Sequence, residues 1–554
     1  MLNDLFDGTK SKYSQTDQAD KIREQEYYHL SLSNHVYFDY VGHGLFSYSQ
    51  QRSHSWKAPV ASTSSASPPP RQYSSGLEPQ FFDISYKTAS LRSQIQYGGQ
   101  ESELEYKTQR RIMALMNLSE DDYSMVFTAN QPSAFKLVAD SYPFQSNQNL
   151  LTVYDYENEA VKVMIQASKN RGARVMTAEF SWPSLRLHSG KLLKKVRRKS
   201  KDKRGLFVFP LQSRMTGARY PYLWMSMAQE NGWHVLLDAC GLGPKDMETL
   251  GLSLFKPDFL VCSFFKVFGE NPSGFCCLFV KKSSSSVLQG IKWYRYSEAC
   301  PQLGDLHQIS EELANDDVEI EERTKQEMHV DHSLQGSSPG PIFRQQTSEV
   351  TSDLQETKEI SVKHKAPEIE ESVTSFESSK SQIIARCGSG HSHLEYRGLD
   401  HADSLGLILI STRERYLINW LVNALMSLQH PRSENRNPLV RIYGPKVKFD
   451  RGPALAFNIF DWKGTRIDPS IVQKLADRNN ISLSKGFLFH IWFPDKYEHE
   501  KEQIIETRTL ALGILTNFED IYRLWAFVSR FLDADFVEKE RWRYTALNQM
   551  TVEV

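Results

Sequence analysis

At 554 residues the chain is longer than one domain of the usual ~100–200 residues, so two or three folded units are expected. Its 66 Lys and Arg balance 67 Asp and Glu, which excludes a global field that would select nucleic acid, an anionic membrane or an acidic substrate. No apolar run approaches the ~20 residues of a membrane span, Met1 to Gln25 carries no apolar signal core, and 6 cysteines are too few for a disulfide scaffold. A soluble, cytoplasmic protein is expected.

Residues 1–80 form an N-terminal segment with little periodicity, and Ser62 to Ser75, with Pro68, Pro69 and Pro70, is too rich in Ser and Pro to pack a core. From 81 to 300, short β-rich runs alternate with helical patterns: Ser124 to Thr128, Leu150 to Tyr154, Leu206 to Pro210, His234 to Asp238, Phe259 to Ser263 and Phe275 to Val280. Such alternation predicts a parallel or mixed sheet covered by helices. LFVF, HVLLD and FLVC are apolar almost throughout, as strands buried on both faces are, so a large doubly wound α/β domain is expected. Residues 301–385 turn acidic and Ser-rich with few aromatics and read as a disordered insertion. Residues 386–554 hold a helical pattern at Arg415 to Leu428, a strand at Ala454 to Ile459, a helix at Ile471 to Arg478 and a long aromatic-rich helix from about Glu502 to Phe531. That suffices for a smaller α/β domain.

Two strand ends carry chemistry. Asp238 ends WHVLLD and Lys266 ends DFLVCSFFK, so both are expected at the carboxyl edge of neighbouring strands, where open α/β sheets bind ligands. Ser263 stands just before Lys266. An amine for a Schiff base, a carboxylate for a ring nitrogen and donors for a phosphate are what a pyridoxal cofactor needs. Taken alone, the same residues also read as an exposed Asp and a solvated Lys.

The stretch LLDACGLGPKDMETLGLSLFKPDFLVCSFFKVFGENPSGFCCLFVKK, from Leu236, resembles the segment of molybdenum-cofactor sulfurases that holds the cofactor Asp and Lys. The likeness continues in YFDYVGHGLFS (from Tyr37), DDYSMVFTANQPSAFKLVADSYPF (from Asp121), LFVFPLQSRMTGARYPYLWM (from Leu206) and PLVRIYGPKVKFDRGPALAFNIFDWKG (from Pro438). These sulfurases are a branch of the class V aminotransferases, fold type I pyridoxal-phosphate transferases. The chain is particularly like their plant relatives that lack the molybdenum-cofactor-binding domain, nothing of that size following residue 535. The resemblance implies a large mixed-sheet domain with a smaller C-terminal α/β domain, pyridoxal 5'-phosphate, an amino-acid substrate and a homodimer. It makes Lys266 the Schiff-base lysine, Asp238 the partner of the pyridine nitrogen and Ser263 a phosphate ligand.

The chain also departs from the family. Where the phosphate loop usually reads Thr-Ser-Gly-x-Thr before a helix, it has Thr128-Ala129-Asn130-Gln131-Pro132-Ser133. Pro132 has no N–H to offer, which leaves Thr128, Gln131 and Ser133 as expected phosphate ligands. Asn158 stands where a histidine often stacks on the ring. The RTGCFC-like stretch that relays sulfur corresponds to ISLSKGFLFHIWF, with Ser484 at the arginine position and Phe487 and Phe489 at the cysteine positions. A thiolate must attack the substrate sulfur, so no persulfide is expected there. Arg214, in SRMTG, is a candidate cation for a substrate carboxylate. Cys240 reads as a packing thiol or an alternative sulfur acceptor. The basic run Lys191 to Arg204 is expected to be a solvated loop, and Cys387, His391, His393 and His401 fit no common zinc spacing. Two functions follow: an enzyme working through Lys266, or a cofactor-binding or degenerate scaffold that acts through protein contacts.

Overall fold

The computed structural model describes residues 13–28, 34–38, 85–91, 103–197, 205–243, 255–264, 275–288, 292–297, 397–431, 437–445, 451–500 and 506–546. The chain divides into two units, Met1–Pro301 with Leu394–Val554, and Gln302–His393. The second unit lies outside the described residues, as do Lys266, the Ser/Pro-rich stretch and the insertion expected at 301–385.

Among the described residues seven strands form the central sheet: β1 (Tyr123–Thr128), β2 (Asn149–Thr152), β3 (Arg174–Thr177), β4 (Gly205–Pro210), β5 (His234–Asp238), β6 (Phe259–Ser263) and β7 (Cys276–Lys281). Their order is β1-β7-β6-β5-β4-β2-β3. The pairs from β6 through to β3 are parallel, and β7 runs antiparallel to both β6 and β1. The helices, in chain order, are α1 (Asp17–Glu26), α2 (Glu103–Leu115), α3 (Gln131–Ser141), α4 (Glu159–Asn170), α5 (Ser189–Val196), α6 (Leu223–Glu230), α7 (Arg397–Met426), α8 (Pro469–Arg478), α9 (Phe518–Ser529) and α10 (Ala534–Ala546). Phe207 and Phe209 of β4 pack in one core with Met113 of α2, Leu192 of α5 and Met225 of α6. Leu206 and Val208 pack in the other with Phe135 of α3 and Met164 of α4. A strand covered on both faces has no polar side to present, which is why LFVF reads as an unbroken apolar run.

The smaller sheet, β8 (Val440–Tyr443), β9 (Ala454–Ile459), β10 (Ser484–Phe487) and β11 (Glu506–Ala511), is antiparallel in the order β8-β9-β11-β10. Leu421 of α7, Leu475 of α8 and Leu524 of α9 share its core. Here the reading of one helix from about Glu502 to Phe531 is corrected. Glu506–Ala511 is a strand, paired on both sides by β9 and β10, and helix begins only at Phe518. The β-branched Thr507 and Thr509 suit a pleated strand. Asn517 then starts α9 with a reciprocal capping box to Asp520.

Two further readings change. The basic run begins as helix α5, with Leu192 and Val196 in the core, and not as a loop. The aperiodic N-terminal segment contains α1, held by long-range ion pairs. Arg23 pairs with Asp520, and the guanidinium of Arg413 grips Asp20 (3.0 and 2.5 Å). Partners so distant in sequence leave no local pattern to read.

Candidate functional site

Asp238, the last residue of β5, is 1% exposed. Its Oδ2 accepts from Gln131 Nε2 (2.8 Å) and the Tyr154 hydroxyl (2.9 Å), and its Oδ1 from the Cys240 amide (3.0 Å). All three donors are neutral. Burial pushes this carboxyl above its ordinary range, with the bonds from Cys240 and Tyr154 and the charge of Arg214 acting the other way. Arg214 Nη1 in turn donates to Gln131 Oε1 (3.3 Å), so a guanidinium, a carboxamide and a carboxylate form one string.

Gln131 opens α3 directly after β1. Thr128, 1% exposed, gives its hydroxyl to Cys276 O (3.0 Å) and Asn130 O (3.3 Å), which ties β1 to β7. Asn130 is the N-cap of α3: its Oδ1 accepts from the Ser133 amide (2.9 Å) and its carbonyl from the Ala134 amide (3.1 Å). With Pro132 lacking an N–H, the Gln131 amide is left outside the cap. The Thr128 side chain is therefore spent on the strand ladder, and the Gln131 side chain faces the carboxylate instead of the helix end. Ser133 and Ser263 are half-buried. Asn158 caps α4: its Oδ1 accepts from the Val161 amide (3.3 Å) while its Nδ2 donates to the Tyr156 hydroxyl (3.2 Å).

Tyr154 and Asp155 escaped the sequence reading, although YDY at a strand end in a ligand-binding sheet is a usable signal. Asp155 is fully buried. Its Oδ2 accepts from the Thr216 hydroxyl (2.6 Å), its carbonyl from the Phe489 amide (2.9 Å), and its Oδ1 has no hydrogen-bond partner. Ser213 accepts from Gly217 N (3.1 Å) and, through its hydroxyl, from Thr216 N (3.1 Å), so Asp155 anchors the turn that carries Arg214. Burial raises the Asp155 carboxyl, opposed by the Thr216 and Ser213 hydroxyls. A carboxyl raised on folding stabilises most below its unfolded pKa, and that contribution is lost as pH rises through the folded value. Asp155→Asn, which keeps an acceptor for Thr216, should therefore gain stability relative to the parent between about pH 4 and pH 8. Urea midpoints at both pH values check this, and a variant that falls behind as pH rises sinks it.

The segment corresponding to the sulfur relay is pinned along its length. Phe487 O accepts from Glu157 N (2.9 Å), His490 O from Phe180 N (3.0 Å) and Trp492 O from Trp182 N (3.0 Å). Phe489 is 46% exposed. Cys240 is 4% exposed, and burial pushes its thiol well above the usual range, the reverse of what a nucleophile needs. Of the residues considered for zinc, His401 bonds the Tyr27 hydroxyl through Nδ1 (3.2 Å), and Cys387, His391 and His393 lie outside the described residues. Among the described residues no cluster of His, Cys, Asp and Glu suits a metal ion, and no helix is long and apolar enough to cross a membrane.

No family model matches the chain. It is 24% identical to the molybdenum cofactor sulfurase of Emericella nidulans over 87% of this chain and 47% of that protein. It is also 24% identical to the human molybdenum cofactor sulfurase, over 84% of this chain and 43% of that protein. The chain thus spans about half the length of the curated relatives it matches. Among solved structures it superposes on a cysteine desulfurase from Thermococcus onnurineus NA1 with a TM-score of 0.51 and 13% identity, covering 93% of this chain and 98% of that one. The architecture is accordingly the expected fold type I arrangement, with a large mixed sheet and a smaller α/β part.

Proposed function

We propose that this chain holds pyridoxal 5'-phosphate at the carboxyl ends of β5 and β6 and acts as a transferase or lyase on a small amino acid, with Lys266 as the amine that engages the cofactor. The observation that carries the reading is the Asp238 carboxylate, buried to 1% exposure yet met only by neutral donors. A buried carboxylate is stabilised by a cation, and a protonated ring nitrogen is such a cation. The ring end of the site therefore fits the cofactor, while Ser263, Ser133 and the Gln131 amide are the groups that would hold its phosphate. Once bound, the cofactor supplies an electron sink for negative charge developing on the amino acid.

The protein's own groups do the rest. Tyr154 and the Cys240 amide fix the plane of the Asp238 carboxylate, keeping it aligned with a ring N–H. Arg214, set on its turn by Thr216 and Asp155, offers a guanidinium to a substrate carboxylate. Lys266 Nζ, when not engaged, is the natural proton carrier. Asn158, committed to the start of α4, supplies a hydrogen-bonding amide and no imidazole. A sulfur relay forms no part of the reading: Phe487 and Phe489 have no thiol and Cys240 is buried. We further propose a homodimer in the cytoplasm, of the plant sulfurase-like kind.

One observation favours a second reading, a scaffold that works through protein contacts. The Ser133 amide is already used by Asn130, and Asp238 by internal donors. Absorption spectra separate the two. The purified protein loaded with pyridoxal 5'-phosphate should show a near-visible band that borohydride removes and that Lys266→Ala lacks. A protein that gains no band on reconstitution overturns the enzyme reading and leaves the scaffold.

A further inference from the structure

We infer that Asn130 and Gln131, consecutive residues at the start of α3, are a built-in competitor for the ligand of this site. The inference takes the chemistry of the ligand from the reading above, an anionic end and a ring N–H end. Asn130 Oδ1 is an acceptor sitting on the Ser133 amide (2.9 Å), the bond that a phosphate oxygen makes at a helix start. Gln131 Nε2 is a donor sitting on Asp238 Oδ2 (2.8 Å), the bond that a ring N–H makes with this carboxylate. One residue thus imitates the anion and the next imitates the ring nitrogen.

The imitation is held in place. Asn130 is in extended backbone (φ -161, ψ 179), its carbonyl takes the Ala134 amide and the Thr128 hydroxyl, and Pro132 removes the alternative amide next to it. Arg214 Nη1 on Gln131 Oε1 (3.3 Å) fixes which end of the carboxamide turns to Asp238, because a guanidinium only donates. Gln131 is 9% exposed, so its side chain is enclosed and not drifting in solvent. A ligand therefore binds by exchange. It takes over the Ser133 amide from Asn130 and the carboxylate from Gln131, and its net affinity is lower by the strength of the contacts it displaces. The two residues set how readily this chain loads and unloads.

The test uses the full chain and three non-covalent probes in equilibrium dialysis: inorganic phosphate, pyridoxine and pyridoxine 5'-phosphate. None of them needs Lys266. Asn130→Ala removes the acceptor and should tighten phosphate and pyridoxine 5'-phosphate about fivefold, the factor that a typical N-cap contribution represents, with pyridoxine unchanged. Asn130→Ser keeps a cap and should behave as the parent. Gln131→Ala should tighten pyridoxine and pyridoxine 5'-phosphate and leave phosphate alone. Weaker or undetectable phosphate binding in Asn130→Ala, or weaker pyridoxine binding in Gln131→Ala, overturns the inference, because the residues would then be ligands or irrelevant. A phosphate gain in Asn130→Ala with no pyridoxine bound by any variant supports the Asn130 half. The same result overturns the Gln131 half together with the pyridoxal reading.

Discussion

Truncation of Arg413 to alanine is expected to destabilise the protein by about 2–4 kcal/mol, less than the loss of a fully buried ion pair because the Asp20 carboxylate is only part-buried. Arg413 is 0% exposed. Its Nε donates to Thr516 O (2.9 Å), Nη1 to Thr16 O (3.2 Å) and Asp20 Oδ2 (3.0 Å), and Nη2 to Asp20 Oδ1 (2.5 Å). Its guanidinium lies 4.8 Å from the Tyr13 ring centroid. One side chain on α7 thereby ties the residues around α1 to the loop before α9. Alanine leaves the two carbonyls without this donor and the Asp20 carboxylate without its cation, with the Tyr13 hydroxyl (3.1 Å) still donating to it. Urea titration measures the loss, and proteolysis between residues 13 and 28 shows where it falls. A variant within about 1 kcal/mol of the parent refutes the assignment.

The second large effect is expected at Gly217, on the turn that carries Arg214. Its φ is +70°, and a β-carbon there would lie 2.4 Å from Ala454 O and 3.1 Å from Gly452 O. Alanine must bear the left-handed backbone and also push apart two stretches of main chain, for a total above about 3 kcal/mol. Gly172 is the control. Its φ is +83° with nothing within 4 Å of the added carbon, so Gly172→Ala pays only the conformational part, about 1–2 kcal/mol. Equal losses for the two variants in urea unfolding would show that the close approach contributes nothing.

How much of this was legible depended on where the information lies. His234–Asp238 and Phe259–Ser263 are bounded correctly by the sequence because each is an apolar run closed by a polar residue. The mixed sheet followed from their spacing. The strand Glu506–Ala511 was not, since TRTLAL alternates weakly and only its pairing with β9 and β10 decides against a helix. Within the site, Asp238 was legible as the end of a strand. The direction in which Gln131 turns was not, because residue type and spacing do not say whether a carboxamide at a helix start points outward or down onto a neighbouring strand. That Asn130 caps α3 had a local signature, an Asn ahead of Gln-Pro-Ser, which competed with its reading as a substituted phosphate loop. Asp155 and Thr216 meet across 61 positions, and no local pattern announces such a bond.

The placement of β7 sets an order of events for the growing chain. Among the described residues β1 pairs with no strand of its sheet other than β7, and β7 is the last of the seven to be made. Until Cys276–Lys281 emerges and threads between β1 and β6, residues Tyr123–Thr128 have no ladder to join. They must wait while the intervening strands assemble without them. Closing so long a loop is slow compared with local pairing. The strand that leads into Asn130 and Gln131 is thus secured late, so the Asp238 end of the site can be in place before the helix that faces it has a fixed support.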